Sequence, residues 1–226
     1  MLNLKTNNLT KWIWAFIPVV IMLLFQEMIF ATLQLIYGSL SNVNPEIFFY
    51  LPFLSLLPPL ILFLIWYWPR RGVNTLKLVL TKRGKIAIDI FIGMGVGIII
   101  LFVFIASFAL QRSLTLPLPD FSSLSLVHHL FFSTIGAIVP GIAEEIYFRG
   151  FLMQKFSILK PALIILITSL SFAFWHILSP SYLPHTFLIG IILGITYYRT
   201  KRLLPVIVAH SLANMSAGIL ILKGYI

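Results

Sequence analysis

The chain has 226 residues, 60% hydrophobic and 10% charged, with a formal net charge of +10 and no cysteine. Its mean hydropathy of +1.03 excludes an ordinary soluble domain, in which about a quarter of the residues would be charged. The missing cysteine excludes disulfides, a thiol nucleophile and thiolate-bound metal. The basic residues lie between apolar spans, which excludes a nucleic-acid surface and instead marks inward-facing loops against anionic lipid headgroups.

The pattern predicts an all-α polytopic membrane protein of about seven transmembrane helices. Residues 1–124 would hold three of them. A polar start with Lys5 and Lys11 precedes the span 12–37, which is too long for a signal-peptide core and is read as a retained helix. Gln26 and Glu27 near its middle would bond to a neighbouring helix or stand beside an active site. The span 47–68 contains Pro58 and Pro59, which should kink it. The connection that follows carries Arg70, Arg71, Lys77, Lys82, Arg83 and Lys85 without an acid. It is therefore placed on the cytoplasmic side, and the N-terminus with it. In the span 86–110, Gly93, Gly95 and Gly97 superficially suggest a nucleotide loop. No strand precedes them, so they are read as helix-packing positions. Asp89, near the boundary, is read as a snorkelling or paired group.

Residues 125–222 would form the functional core. The apolar run from Leu126 reaches Glu144-Glu145-Ile146-Tyr147-Phe148-Arg149, which spends two of six acidic residues on neighbouring positions. Ionisable groups inside membrane helices are costly, by roughly 2.5–3.5 kcal/mol each, and mark function by default. Glu145 and Arg149 are related i, i+4 with the acid first, the favourable order. Glu144 points about 100° away and is left to address something else, read as a water molecule. His128 and His129 would sit on the same helix about 24 Å from Glu144, at the outer interface.

A break near 157–160 and Pro161 then open a helix over 162–178 that ends in Phe172-Ala173-Phe174-Trp175-His176. In a hairpin turning near 158–160, Glu144 lies about 15 residues before the turn and His176 about 17 after it. At 1.5 Å per residue both are roughly 22–25 Å from the turn, and therefore level. The span 185–199 begins at His185, read as interfacial, and holds Gly190 and Gly194 at packing spacing. The last span begins at Pro205 and carries His210 and Asn214, one turn apart on one face. His210 lies only about 8 Å along the helix from Pro205, so a meeting with Glu144 needs tilted helices or a projecting hairpin tip. This tension favours a site nearer the cytoplasmic side.

Glu144-Glu145-xxx-Arg149, Phe172-xxx-His176 and His210-xxx-Asn214, in that order across membrane helices, resemble the CPBP family of intramembrane proteases. That family includes the type II CAAX prenyl endopeptidases and the bacteriocin-processing and immunity proteins also called the Abi family. The resemblance covers roughly residues 125–222 and implies hydrolysis of a peptide bond in a membrane-associated peptide or protein, prenylated or a leader peptide. It implies that Glu144 with His176 activates a water and that His210 and Asn214 stabilise the oxyanion, with Glu145 and Arg149 completing the site. The family is commonly labelled metalloprotease, and Glu144, His176 and His210 could hold zinc. No HExxH is present, and the reading prefers no cofactor and a glutamate-activated water. The expected setting is multi-pass in a bacterial plasma membrane. The other function classes compatible with the residues are an inactive immunity or scaffold protein using the same cavity, and a small transporter or proton relay. A transporter would often show an internal repeat, and none is found.

Overall fold

The structure is a computed structural model and describes residues 3–47, 50, 86–111, 124–176 and 183–222. The expected span 47–68 and the basic connection after it therefore lie almost entirely outside the described residues. Among the described residues the regular structure is helical, with no strand. Helix α1 is Asn3–Tyr37, and Gly38 ends it in the left-handed conformation (φ 73°), with its N–H bonded to Gln34 O at 2.9 Å. Glycine takes this capping conformation without a Cβ clash. Helix α2 is Ile86–Gln111, α3 Leu126–Ser133 and α4 Ile135–Glu145. A π-helical segment, Ile146–Leu152, follows directly and returns to a short α turn at Met153–Lys155. Helices α5 (Pro161–Phe174), α6 (Leu183–Thr200) and α7 (Leu203–Leu222) complete the described chain.

Two boundaries depart from the sequence reading. The expected continuous helix from Leu126 breaks at Thr134, whose φ and ψ are −119° and −88°. The Thr134 hydroxyl donates to Leu130 O and so competes for a carbonyl that helical amides use. His128 and His129 consequently sit on α3, a helix separate from that of Glu144. His128 accompanies Ser125 (Nδ1 to Oγ 2.7 Å) and Glu46 (3.9 Å), away from the acidic pair. Helix α5 also stops at Phe174 rather than reaching residue 178, and His176 lies in the turn beyond its end. At its start, Pro161 takes the first helical position as expected, where its missing N–H is no loss.

Among the described residues three helices are long and apolar enough to cross a membrane: Ile13–Tyr37, Ile86–Ser107 and Leu126–Lys155. Pro161–Phe174 and Leu203–Ser216 are shorter apolar helices. The fold is thus all-α and of membrane type. The described spans are fewer than the seven expected, because one expected span lies outside them and others are short. Large side chains such as Leu35 (87% exposed), Phe91 (80%) and Phe102 (68%) cover the outer face, as an apolar solvent allows.

Helix α7 organises the core, packing against α2, α3, α4 and α6. Small residues permit the close approaches. A Cβ on Gly93 would lie 2.6 Å from Val208 Cβ, and one on Gly97 would lie 3.0 Å from Leu212 Cδ2, whereas Gly95 faces open space. The first and last glycines of that run are therefore packing positions, a turn apart on one face. Gly190 and Gly194 do the same between α6 and α5, where added Cβ atoms would meet Ser169 Cα at 3.0 Å and Ile165 Cγ2 at 3.2 Å. Asp89 is buried and paired with Arg202, which ties the start of α2 to the α6–α7 turn. Of the two readings of Asp89, pairing describes it. Glu27 is exposed on α1 and takes no part in the buried cluster described below.

Candidate active site

Glu144 and Glu145 are the last two residues of α4, held against α7 by a close approach one turn earlier. A Cβ on Gly141 would lie 2.5 Å from Ser211 Oγ, so only glycine lets the two backbones come this near. After Glu145 the helix widens: Met153 N–H bonds to Phe148 O, five residues back. Short π segments of this kind cluster at functional sites. Residues 147–153 are all buried, and an aromatic nest fixes them. Phe148 packs edge-on against Phe172 (5.2 Å) and Trp175 (5.5 Å), and Tyr147 stacks on Trp175 (5.8 Å). The Tyr147 hydroxyl donates to Ala15 O of α1 at 2.7 Å. The pairing of 148 with 172 and of 147 with 175 is the antiparallel register in which Glu144 and His176 lie close to one level.

Arg149 is fully buried, and its charge is met on two sides. Nη1 donates to Glu145 Oε1 at 2.6 Å, and Nη2 donates to the Gly190 carbonyl of α6 at 3.0 Å. Its Cζ stands 4.9 Å from the centre of the Phe172 ring, a cation–π contact in a desolvated place. Glu145, 0% exposed, accepts a second hydrogen bond on the same oxygen from His210 Nδ1 at 2.8 Å. An ionised carboxylate can only accept, so Nδ1 carries the proton and the ring is turned with Nε2 outward. That Nε2 lies 3.9 Å from Glu144 Oε2. The gap exceeds a direct hydrogen bond, yet one water or one substrate oxygen could touch both groups. Glu144 Oε2 is itself buried without a hydrogen-bond partner.

His210 reaches the acidic pair although it lies near the start of α7. The π turns fit more residues into a given length than α turns do, which shortens the hairpin arm carrying Glu145. Asn214, one turn beyond His210, bonds loosely to Ala137 O of α4, at 3.5 Å. His176 takes a different position. It is half-buried just past the end of α5, and its Nδ1 lies 2.9 Å from Phe172 O. A carbonyl only accepts, so Nδ1 donates and Nε2 is left with its lone pair. No ion pair joins His176 to Glu144 among the described residues. Instead the Phe172 ring touches both imidazoles, with centroids 5.0 Å from His176 and 5.6 Å from His210.

The structure thus gathers Glu144, Glu145, Arg149 and His210 in one buried cluster. Asn214 stands a turn above and His176 across a phenyl ring. Three parts of this arrangement escaped the sequence reading. The Gly190 and Ala137 carbonyls are backbone groups without a residue signal, and Gly190 was legible only as a packing position. The Phe172 ring was legible as part of a motif, though its place between two histidines was not. His185 is corrected: it is buried (2% exposed), edge-on to Phe104 at 5.4 Å and within electrostatic range of His176. Position at a helix start had suggested the interface, but the ring is buried against Phe104 of α2.

Among the described residues no three His, Asp or Glu side chains are placed to share a metal ion.

Residues 126–216 match the family described as type II CAAX prenyl endopeptidase, Rce1-like. No curated protein and no solved structure matches the chain.

Proposed function

We propose that the chain, whose residues 126–216 match the Rce1-like family of type II CAAX prenyl endopeptidases, is an intramembrane endopeptidase acting through Glu144. It hydrolyses a peptide bond of a membrane-associated peptide or protein. The observation that carries this reading is the unequal treatment of the two carboxylates. Glu145 accepts from both Arg149 and His210, while Glu144 Oε2 is buried, unpartnered and 3.9 Å from His210 Nε2. Neighbouring acids in different environments take different roles.

In the proposed reaction Glu144 takes a proton from a water as the water oxygen attacks the scissile carbonyl carbon. His176, whose Nε2 lone pair is free, helps orient that water, and Glu144 passes the proton it has taken to the leaving amine. The Asn214 amide and a protonated His210 Nε2 donate to the oxyanion. A doubly protonated His210 also makes the buried group electrically neutral, two carboxylates against Arg149 and the imidazolium. Glu145 and Arg149 position His210 rather than touch the substrate. The setting is a multi-pass protein of a bacterial plasma membrane, with the site nearer its cytoplasmic side. His210 supports that side, lying seven residues, about 10 Å, along α7 from its start beside the basic turn.

The test is cleavage in membranes. Products present with wild-type protein and missing with Glu144→Ala, at equal protein level, support the proposal; products that persist sink it. The proposed reaction is metal-free, so full turnover is expected after exhaustive chelation. Stoichiometric zinc lost together with activity in both His176→Ala and His210→Ala would overturn that part.

A further inference from the structure

A second concavity lies away from the acidic pair, at the end of the bundle where the α5 hairpin turn meets the α6–α7 turn. It has a volume of about 350 Å³ and is lined by Gln154, Ser157, Tyr197, Tyr198 and Lys201 over an apolar floor that includes Met153 and Ile164. Met153 is eight residues past Glu145, roughly 12 Å along a helical path, so this space is distinct from the cluster. The same end carries Lys155, Lys160, Arg199, Lys201 and Arg202, and its acid, Asp89, is already taken up by Arg202.

Lys201 is the unusual residue. Its φ of 54° lies in the left-handed region that side chains other than glycine rarely adopt, and such strain concentrates at functional positions. The backbone is held there by its N–H bond to Tyr197 O at 2.7 Å. The result is an ammonium placed 3.5 Å from the centre of the Tyr198 ring, beside the opening. The side chain is exposed, with partial desolvation holding its pKa below the usual lysine value. A cation, two phenols, an amide and a hydroxyl thus rim a pocket with a greasy floor.

We propose that this pocket binds the headgroup of an anionic phospholipid, with the phosphate on Lys201 and the glycerol and upper acyl carbons over Met153 and Ile164. Charge decides the class of ligand, because among the described residues the rim offers a cation with no competing carboxylate. The apolar floor decides between sources: a soluble phosphate would leave it uncovered, whereas an attached acyl chain fills it.

The full chain in nanodiscs of phosphatidylcholine doped with phosphatidylglycerol tests this, with the lipid retained on the protein read by native mass spectrometry. Wild type should retain phosphatidylglycerol at least fivefold over phosphatidylcholine. Lys201→Gln should abolish that preference, and Arg199→Gln, at the same end but outside the pocket, should keep it. Equal loss in both variants would reduce the effect to diffuse surface charge and overturn the site, as would an absence of preference in wild type. Displacement of the retained lipid by millimolar inorganic phosphate would assign the pocket to a soluble anion and overturn the lipid. Cleavage activity has no part in the readout, so the outcome is independent of the catalytic proposal.

Discussion

At the scale of single residues, the two adjacent glutamates should fail differently. Glu144→Gln keeps size and removes only the base, so cleavage should fall at least about 10²-fold with normal accumulation and an unchanged melting temperature. Glu145→Gln removes the charge that faces both Arg149 and His210. Breaking a buried pair from one side costs about 3–5 kcal/mol, so this variant should melt earlier as well as lose activity. Equal, normal melting in both variants would refute the division. For Asn214→Ala the expectation is a drop in kcat of about 10²-fold with little change in KM, since the amide is recruited to developing charge. Its existing bond to Ala137 O, 3.5 Å long, is weak enough to be exchanged. A KM rise with unchanged kcat would instead make Asn214 a binding residue. The Glu145–Arg149 pair was legible because i, i+4 geometry is local and survives the change of helix type. The second bond of Arg149, to Gly190 O, was not, because a carbonyl has no residue identity to read.

At the scale of elements, helix contact is set by which glycine faces which neighbour, and the run Gly93, Gly95, Gly97 separates the cases cleanly. Gly93→Ala places a Cβ 2.6 Å from Val208 Cβ and 2.7 Å from Pro205 O. The backbone oxygen cannot step aside, so α2 must move from α7, at a cost of about 1–3 kcal/mol. Gly95→Ala meets nothing within 4 Å and should be neutral or stabilising by up to about 1 kcal/mol through helix propensity. Thermal melts of the two variants in the same detergent check the contrast; similar melting would mean that α2 does not lean on α7. The hairpin was foreseen from Pro161 and the polar break before it. The break at Thr134 was not, since threonine is only a weak helix breaker and the competing Leu130 carbonyl appears only in three dimensions. The early end of α5 was hidden for a related reason. An apolar run predicts burial, and burial in a turn reads like burial in a helix.

At the scale of the whole molecule, the all-α membrane class followed from composition, and the gathering of Glu144, Glu145, Arg149 and His210 followed from motif order. The widening of the helix after Glu145 was illegible because residues 146–152 carry no signal that distinguishes π from α turns. That stretch has a consequence for how the protein answers to its surroundings. Residues 147–153 are enclosed by protein on every side, while Phe91, Phe102 and Leu35 lie open on α2 and α1. Hydrophobic mismatch is taken up by tilt and by the residues that meet the acyl chains. A thinner or thicker bilayer should therefore tilt the outer helices and leave the turn after the acidic pair in place. Reconstituted in bilayers of short and long acyl chains, the enzyme should keep its single-turnover rate constant within about twofold, because mismatch costs only fractions of a kcal/mol per Å and falls on the outer helices. A chemical step that tracked bilayer thickness would show that the enclosed turn is mechanically tied to the lipid after all. On this view the peripheral helices act as a suspension, and the proposed chemistry rides on a part of the chain that lies buried within the protein.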